Sequence, residues 1–189
     1  MKALRYGFGS VMFDGSIYPV DENIRISAEI ATIAHAMGAG LECELGKVGG
    51  LEEGEGEIGV DQLTEASEVT TFLEKTNADF LAISIGTTHG VYAKAPNLDL
   101  ERLAEIRIIT DIPLVLHGGS GLTDLDYKNC IAGGIQKINT FTDVVNAAIE
   151  TARGISEDAP YVELSKLMED AMYDAVALKI KTYGSDGKA

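Results

Sequence analysis

The sequence is poor in the features that would take it out of the ordinary globular class. No apolar run approaches the ~18–20 residues a membrane helix needs, and the opening M-K-A-L-R-Y-G lacks the hydrophobic region of a signal peptide. Its two cysteines, Cys43 and Cys130, are isolated in apolar segments. That points to buried thiols rather than a disulfide or a zinc pair, and to a reducing cytoplasm. Cations are scarce, with 15 Lys and Arg against 30 Asp and Glu and a net charge of −15. Such a chain repels nucleic acid and anionic membranes, so neither is an expected partner. Tyr and Phe are too scattered for a base-stacking platform. No G-x-G-x-x-G follows an early strand, which argues against a dinucleotide site. The acidity also sets a condition: a phosphorylated metabolite can be held only where glycine amides, helix N-termini or a metal offset the charge locally.

What is present reads as one α/β domain over residues 1–189, long enough for a sizeable core. Apolar segments that read as strands start near residues 10, 40, 80, 113 and 135, with amphipathic stretches between them. One helix is expected from Pro19–Glu22 to Gly38 and a second with Thr64 as its N-cap. A third is expected over Leu98–Ile109, a fourth capped by Thr123, and a last from Val144 to about Tyr183, broken near 154–160. The chain begins almost inside the first strand, with no helix expected before it. Strand alternating with helix is the rhythm of a parallel sheet wrapped by helices, and a barrel and a doubly wound sheet share it. Lys47–Val60 is glycine-rich and acidic. It reads either as a mobile active-site loop or as a solvated connector, and its length favours the first.

The stretch Asp111–Gly121, D-I-P-L-V-L-H-G-G-S-G, is a buried-strand run that stops abruptly at His117 and three glycines. Phe80–Gly90, F-L-A-I-S-I-G-T-T-H-G, is built the same way and ends on His89, about one βα repeat earlier. Chemistry in (β/α) folds sits at the carboxyl ends of strands. Those ends here offer Asp14, Glu44, His89, His117, and Asn139 with Thr142. Two imidazoles and two carboxylates at one mouth suit a divalent metal, zinc first. Glycine amides and hydroxyls at 118–121 and 139–142 suit a phosphate. Plainer readings stand beside these. Asp14 in D-G-S suits a turn, one of Glu42 and Glu44 can face solvent, and Asn139 with Thr142 suits a strand-end and helix-cap pair. His35, in mid-helix, reads as a surface or half-buried residue.

Taken in order, S-V-M-F-D-G-S, E-L-G-K-V-G-G, A-I-S-I-G-T-T-H-G-V-Y, P-L-V-L-H-G-G-S-G and K-I-N-T-F-T-D resemble the class II metal-dependent ketose-bisphosphate aldolases over nearly the whole chain. The A-P-N-L-D after Tyr92 is closer to the tagatose-bisphosphate type than to the long fructose-bisphosphate type. The resemblance implies a (β/α)₈ TIM barrel in which His89 and His117 match two of three catalytic zinc ligands. It implies that Asp14 and Glu44 match carboxylates at a second or alternative metal position. Gly90, Gly118, Gly119, Ser120, Asn139, Thr140, Phe141 and Thr142 match contacts to dihydroxyacetone phosphate. A monovalent cation, Na⁺ or K⁺, lies nearby in some members, and Glu52 matches a glutamate implicated in proton transfer. The implied reaction is reversible cleavage of a ketose 1,6-bisphosphate to dihydroxyacetone phosphate and glyceraldehyde 3-phosphate, with zinc stabilising the enediolate.

The departures from the family pattern are specific. The family's third zinc ligand and catalytic aspartate lie in an L-H-L-D-H-G-like motif on the strand before Ser10–Phe13, and this chain has no such motif. Three N-terminal barrel strands are absent with it, and Ile17 stands where a histidine usually follows the D-G-S block. About five βα units of an incomplete barrel are therefore expected, inactive until an N-terminal fragment or self-association completes them. The competing readings are a catalytically silent phosphate- or metal-binding remnant, an assembly subunit, and a metal-dependent hydrolase on a barrel.

Overall fold

A computed structural model describes residues 1–50, 62–90, 92, 96–156 and 158–188. In chain order its elements are α1 (Lys2–Arg5), β1 (Ser10–Phe13), α2 (Val20–Ala36), β2 (Gly40–Leu45), β3 (Gly49–Gly50), α3 (Ala66–Thr76) and β4 (Phe80–Ile83). They continue with β5 (Thr88–His89), α4 (Leu100–Ile109), β6 (Leu114–Leu116), α5 (Asp124–Ala132), β7 (Ile135–Ile138), α6 (Thr142–Arg153) and α7 (Tyr161–Thr182). All five expected strands are present at the expected places. The short turn of helix α1 was not expected, and it packs beside β1.

The main sheet runs β1-β2-β4-β6-β7, every pair parallel. Each new strand joins the outer edge of the one before it, so the order never reverses. A doubly wound sheet reverses at its switch point and a barrel does not. The rhythm left that choice open; the strand order decides for the barrel type.

Side-chain alternation divides the sheet into two faces. Leu41, Cys43, Leu45, Leu81, Ile83, Leu114 and Leu116 point to the helices and form one core with Val69, Phe72, Leu103 and Ile106. Fully burying each of the large side chains is worth about 1.5–3 kcal/mol. Cys43 and Cys130 are free and buried, and burial pushes both thiols up to about 11. The opposite face carries Glu42, Glu44, Val115, His117, Lys137 and Asn139. Between β6 and β7 the register slips, pairing Leu114 with Ile135 but Val115 with Lys137. Gln136 is the extra residue of this bulge. Ile135 and Ile138 thereby both reach the core, and Lys137 turns inward.

Thr123 caps α5 as expected, in a capping box with Asp126. Thr64 does not cap α3. Its hydroxyl donates to the Leu45 carbonyl and accepts from Ser84 N at 2.8 Å, tying β2 to the exit of β4. The N-cap is Glu65, with no side-chain bond. Asp99 caps α4, accepting from Arg102 N at 2.9 Å. No helix among the described residues is long and apolar enough to cross a membrane.

Candidate functional site

The carboxyl ends of β4, β6 and β7 open onto a cleft of about 900 Å³ whose lining includes His89, His117, Ser120, Asn139, Thr140 and Thr142. Gly90, Gly118, Gly119 and Phe141 line it too. These positions, singled out separately along the sequence, therefore meet in one place.

Two glycines make the meeting possible. Gly50 of β3 lies against β5 with φ +96°, and a Cβ there would fall 2.2 Å from the His89 carbonyl oxygen. Gly118 has φ +63°, and its Cβ would fall 2.5 Å from the Thr88 carbonyl oxygen. Any side chain at either position would force the His89 segment away from the loops that flank it. Tyr92 closes the arrangement: its hydroxyl donates to Gly118 O at 2.8 Å and accepts from Thr88 N at 3.1 Å. The His89 and His117 rings stand edge to face with centroids 5.8 Å apart.

His117 is 4% exposed and lies between two carboxylates. Its Nε2 is 3.0 Å from Glu42 Oε1 and its Nδ1 is 3.9 Å from Glu44 Oε2. Glu42 also accepts from Lys137 Nζ at 2.5 Å. Burial works to raise the Glu42 carboxyl, but the bonds from His117 and Lys137 outweigh it and hold the group below the usual carboxylate range. For His117 burial works downward, and the Glu42 bond with the Glu44 and Glu42 charges turns the net shift upward. Both glutamates are buried, at 3% and 2% exposure. Neither faces solvent, because residues i and i+2 of a strand share a face. Glu44 also accepts from Val48 N at 3.2 Å.

Asp14 is exposed and accepts from Ser16 N at 2.8 Å, the turn role its D-G-S setting allows. Among the described residues no three His, Cys, Asp or Glu side chains form a group that could hold a metal. The expected set of Asp14, Glu44, His89 and His117 is thus not assembled as one centre. Two imidazoles on one mouth with Glu44 beside one of them fit part of a zinc shell by donor chemistry, not a whole one. Glu52 and most of Lys47–Val60 lie outside the described residues.

The loops after β6 and β7 interlock. Gly119 N donates to Asn139 O at 3.0 Å and Asn139 N to Leu116 O at 2.9 Å. Ser120 Oγ accepts from Phe141 N and Asp143 N at 3.1 and 3.3 Å, across the start of α6. Amides, hydroxyls and a helix N-terminus converge there without an unpaired acid, since Asp143 is bound to Lys179 Nζ at 2.5 Å. Reading along the sequence missed Glu42, Lys137, Tyr92, Tyr127, Lys179 and Tyr183. Only Glu42 carried a signal, its place two residues before Glu44. His35 is an exposed helix residue held by Asp79 at 2.8 Å.

Comparison with known proteins agrees with the parallel-sheet fold. The chain matches the family described as fructose-bisphosphate aldolase class-II over residues 1–188. It is 40% identical to the sulfofructosephosphate aldolase of Alkalicoccus urumqiensis, over 100% of this chain and 68% of that protein. It is 38% identical to the 6-phospho-5-dehydro-2-deoxy-D-gluconate aldolase of Bacillus velezensis, over 100% of this chain and 66% of that one. Among solved structures, the YdjI aldolase of Escherichia coli superposes with a TM-score of 0.86 at 36% identity, covering 99% of this chain and 65% of that one. The chain spans about two thirds of the length of these relatives.

Proposed function

The chain belongs to the class II fructose-bisphosphate aldolase family, and from that premise we propose that it carries the phosphate cradle and part of the metal shell of an aldolase acting on a phosphorylated ketose. The observation that carries the reading is the convergence of His89 and His117, 5.8 Å between ring centroids, on the cleft formed by the loops after β6 and β7.

In this reading His89 and His117 hold zinc, with Glu44 as the adjacent carboxylate. Zinc, when bound, supplies a positive charge that stabilises the negative charge developing on the substrate oxygens. The rest falls to the chain's own groups. Gly118, Gly119, Ser120, Asn139, Thr140, Phe141 and Thr142 bind the phosphate of the dihydroxyacetone phosphate moiety, and Gly90 contacts the same moiety. Glu42 and Lys137 fix the imidazole of His117. Glu52 takes part in proton transfer, and Asp14 supplies a carboxylate at a second metal position. A third zinc ligand and a base aspartate come from an N-terminal piece. The sheet supports such completion, because among the described residues β1 and β7 each have one neighbour and so present free strand edges.

Relatives with two different phosphorylated substrates in their names support the substrate class more firmly than any one sugar. The test is retro-aldol cleavage of a panel that includes fructose and tagatose bisphosphates, with zinc, before and after adding a piece that bears the H-L-D-H sequence. The chain alone is expected to be inactive, and the mixture active. Positioned acid–base help is typically worth about 10²–10⁴-fold, and incomplete metal ligation adds to that loss. Brisk turnover by the chain alone, abolished in His89→Ala, would refute the incomplete-site reading. No turnover in any mixture would leave the silent phosphate-binding protein as the better account.

A further inference from the structure

The C-terminal helix contributes no buried residue to the core. Its side-chain polar contacts to other elements nevertheless concentrate at one end, beside the phosphate cradle. We propose that Lys179 and Tyr183 make this helix end a positioning element for the bound anion, a proposal that rests on the phosphate reading of the cradle.

Two linkages carry it. Lys179 Nζ is 2.5 Å from Asp143 Oδ2, donates to the Tyr127 hydroxyl at 2.8 Å, and sits 4.6 Å from the centre of the Tyr127 ring. With its oxygen engaged by the ammonium, the Tyr127 O–H donates to Gly119 O at 2.5 Å. One chain of contacts therefore runs from Asp143 at the start of α6, through Lys179 and Tyr127, to Gly119 in the loop after β6. The second linkage is a 2.6 Å hydrogen bond between the Tyr183 and Thr140 hydroxyls. The Tyr183 and Tyr127 rings meet edge to face at 4.9 Å, so the two linkages brace each other. Lys179 and Tyr183 are four residues apart, one helical turn, which brings both side chains to the same side.

The electrostatic part is the sharper one. Asp143 lies in the first turn of α6, and its amide donates to the same Ser120 hydroxyl that accepts from Phe141. An uncompensated carboxylate there would repel a phosphate from a protein already at −15. Lys179 cancels that charge from behind the cradle and need not touch the ligand. It is a positioning residue and not a catalytic one.

The full chain can be titrated with inorganic phosphate and followed by backbone amide shifts, alongside Lys179→Met, Tyr183→Phe and Lys179→Met/Asp143→Asn. Lys179→Met should weaken phosphate about tenfold, the scale of one nearby like charge, and adding Asp143→Asn should restore most of the loss. The loss in Lys179→Met should also shrink as added salt screens the partly exposed Asp143 charge, which a merely structural lysine would not show. Tyr183→Phe should weaken phosphate a few-fold and speed amide exchange at Thr140. It removes one oxygen and little packing, so it carries the test should Lys179→Met fail to fold. A double variant as weak as Lys179→Met, or single variants that bind like the parent, would overturn the proposal. If the parent itself binds no phosphate, the phosphate reading fails, and amide exchange decides the clamp separately. Faster exchange at Gly119 and Thr140 in the single variants would uphold it, and unchanged exchange would sink it.

Discussion

Strand β2 shows two opposite ways of burying side chains. Toward the helices, Leu41, Cys43 and Leu45 are at most 1% exposed and pack into the apolar core. Toward the cleft, Glu42 and Glu44 are almost as deeply buried, yet each is held by specific polar partners. The first arrangement is non-directional, and any well-shaped apolar set would serve it. The second costs desolvation of charge, which Lys137, His117 and the Val48 amide offset only in one geometry. One face of the sheet holds the fold together, while the other spends some of that stability to place His117.

The largest effect should follow from breaking the apolar side. Phe72 of α3 is fully buried, and Phe72→Ala should cost about 3–5 kcal/mol, read as a lower urea midpoint at unchanged slope. An effect below about 1 kcal/mol would show that the helix layer is not the stabilising one.

On the polar side, Glu42→Leu should cost about 2 kcal/mol, less than a fully buried pair because Lys137 is 46% exposed and can turn to water. Adding Lys137→Met should bring stability back to within about 1 kcal/mol of the parent, as replacement of both ionic partners by apolar groups often does. The His117 ring should remain unanchored in that double variant, with nitrogen shifts in its NMR spectrum unlike the parent's. A ring that keeps the parent's shifts would show that Glu42 does not hold it.

Tyr92→Phe removes the hydroxyl between Thr88 N and Gly118 O and should cost about 1 kcal/mol. Its larger consequence should be weaker zinc binding by calorimetry, because the two histidine segments are no longer pinned together. Equal zinc affinity in the variant would place the pinning elsewhere.

The smallest effect belongs to the far end of the sheet. Burial works to raise Asp79, but hydrogen bonds from His35 and Leu41 N outweigh it and hold the carboxyl below its usual range. A depressed carboxylate stabilises the fold above its unfolded pKa of about 4 and loses that contribution as pH falls through the folded value. Asp79 is 42% exposed, so solvent screening limits Asp79→Asn to about 0.5 kcal/mol at neutral pH. The variant should also flatten the acid limb of the stability profile, and an unchanged limb would count against the bond.

The cleft positions were legible because they follow closely on apolar runs. The runs that end at Ile85 and Leu116 advertise their carboxyl ends. His117 is next in line, His89 lies a few residues on in the short β5, and parallel packing puts such ends on one side. Thr64 misled because a threonine before Glu65, Ser67 and Glu68 looks like a cap. Its hydroxyl finds better partners in Leu45 and Ser84, far away in sequence.

The amino-acid order by itself determined the five strands, the helices between them, and which residues stand at the strand ends. Those follow from local periodicity and from glycine, which act over a few residues. Only the tertiary structure decided the rest. Simple alternation in G-I-Q-K-I-N would put Lys137 on the same face as Ile135. The bulge at Gln136 instead keeps Ile135 and Ile138 in the core and turns Lys137 to Glu42. The register of β7 against β6 sets that bulge, and no feature within β7 announces it. Likewise, Lys179 reaches Asp143 and Tyr127 because α7 packs against α6 and α5. Such long-range contacts depend on how whole elements dock, which local spacing along the chain does not encode.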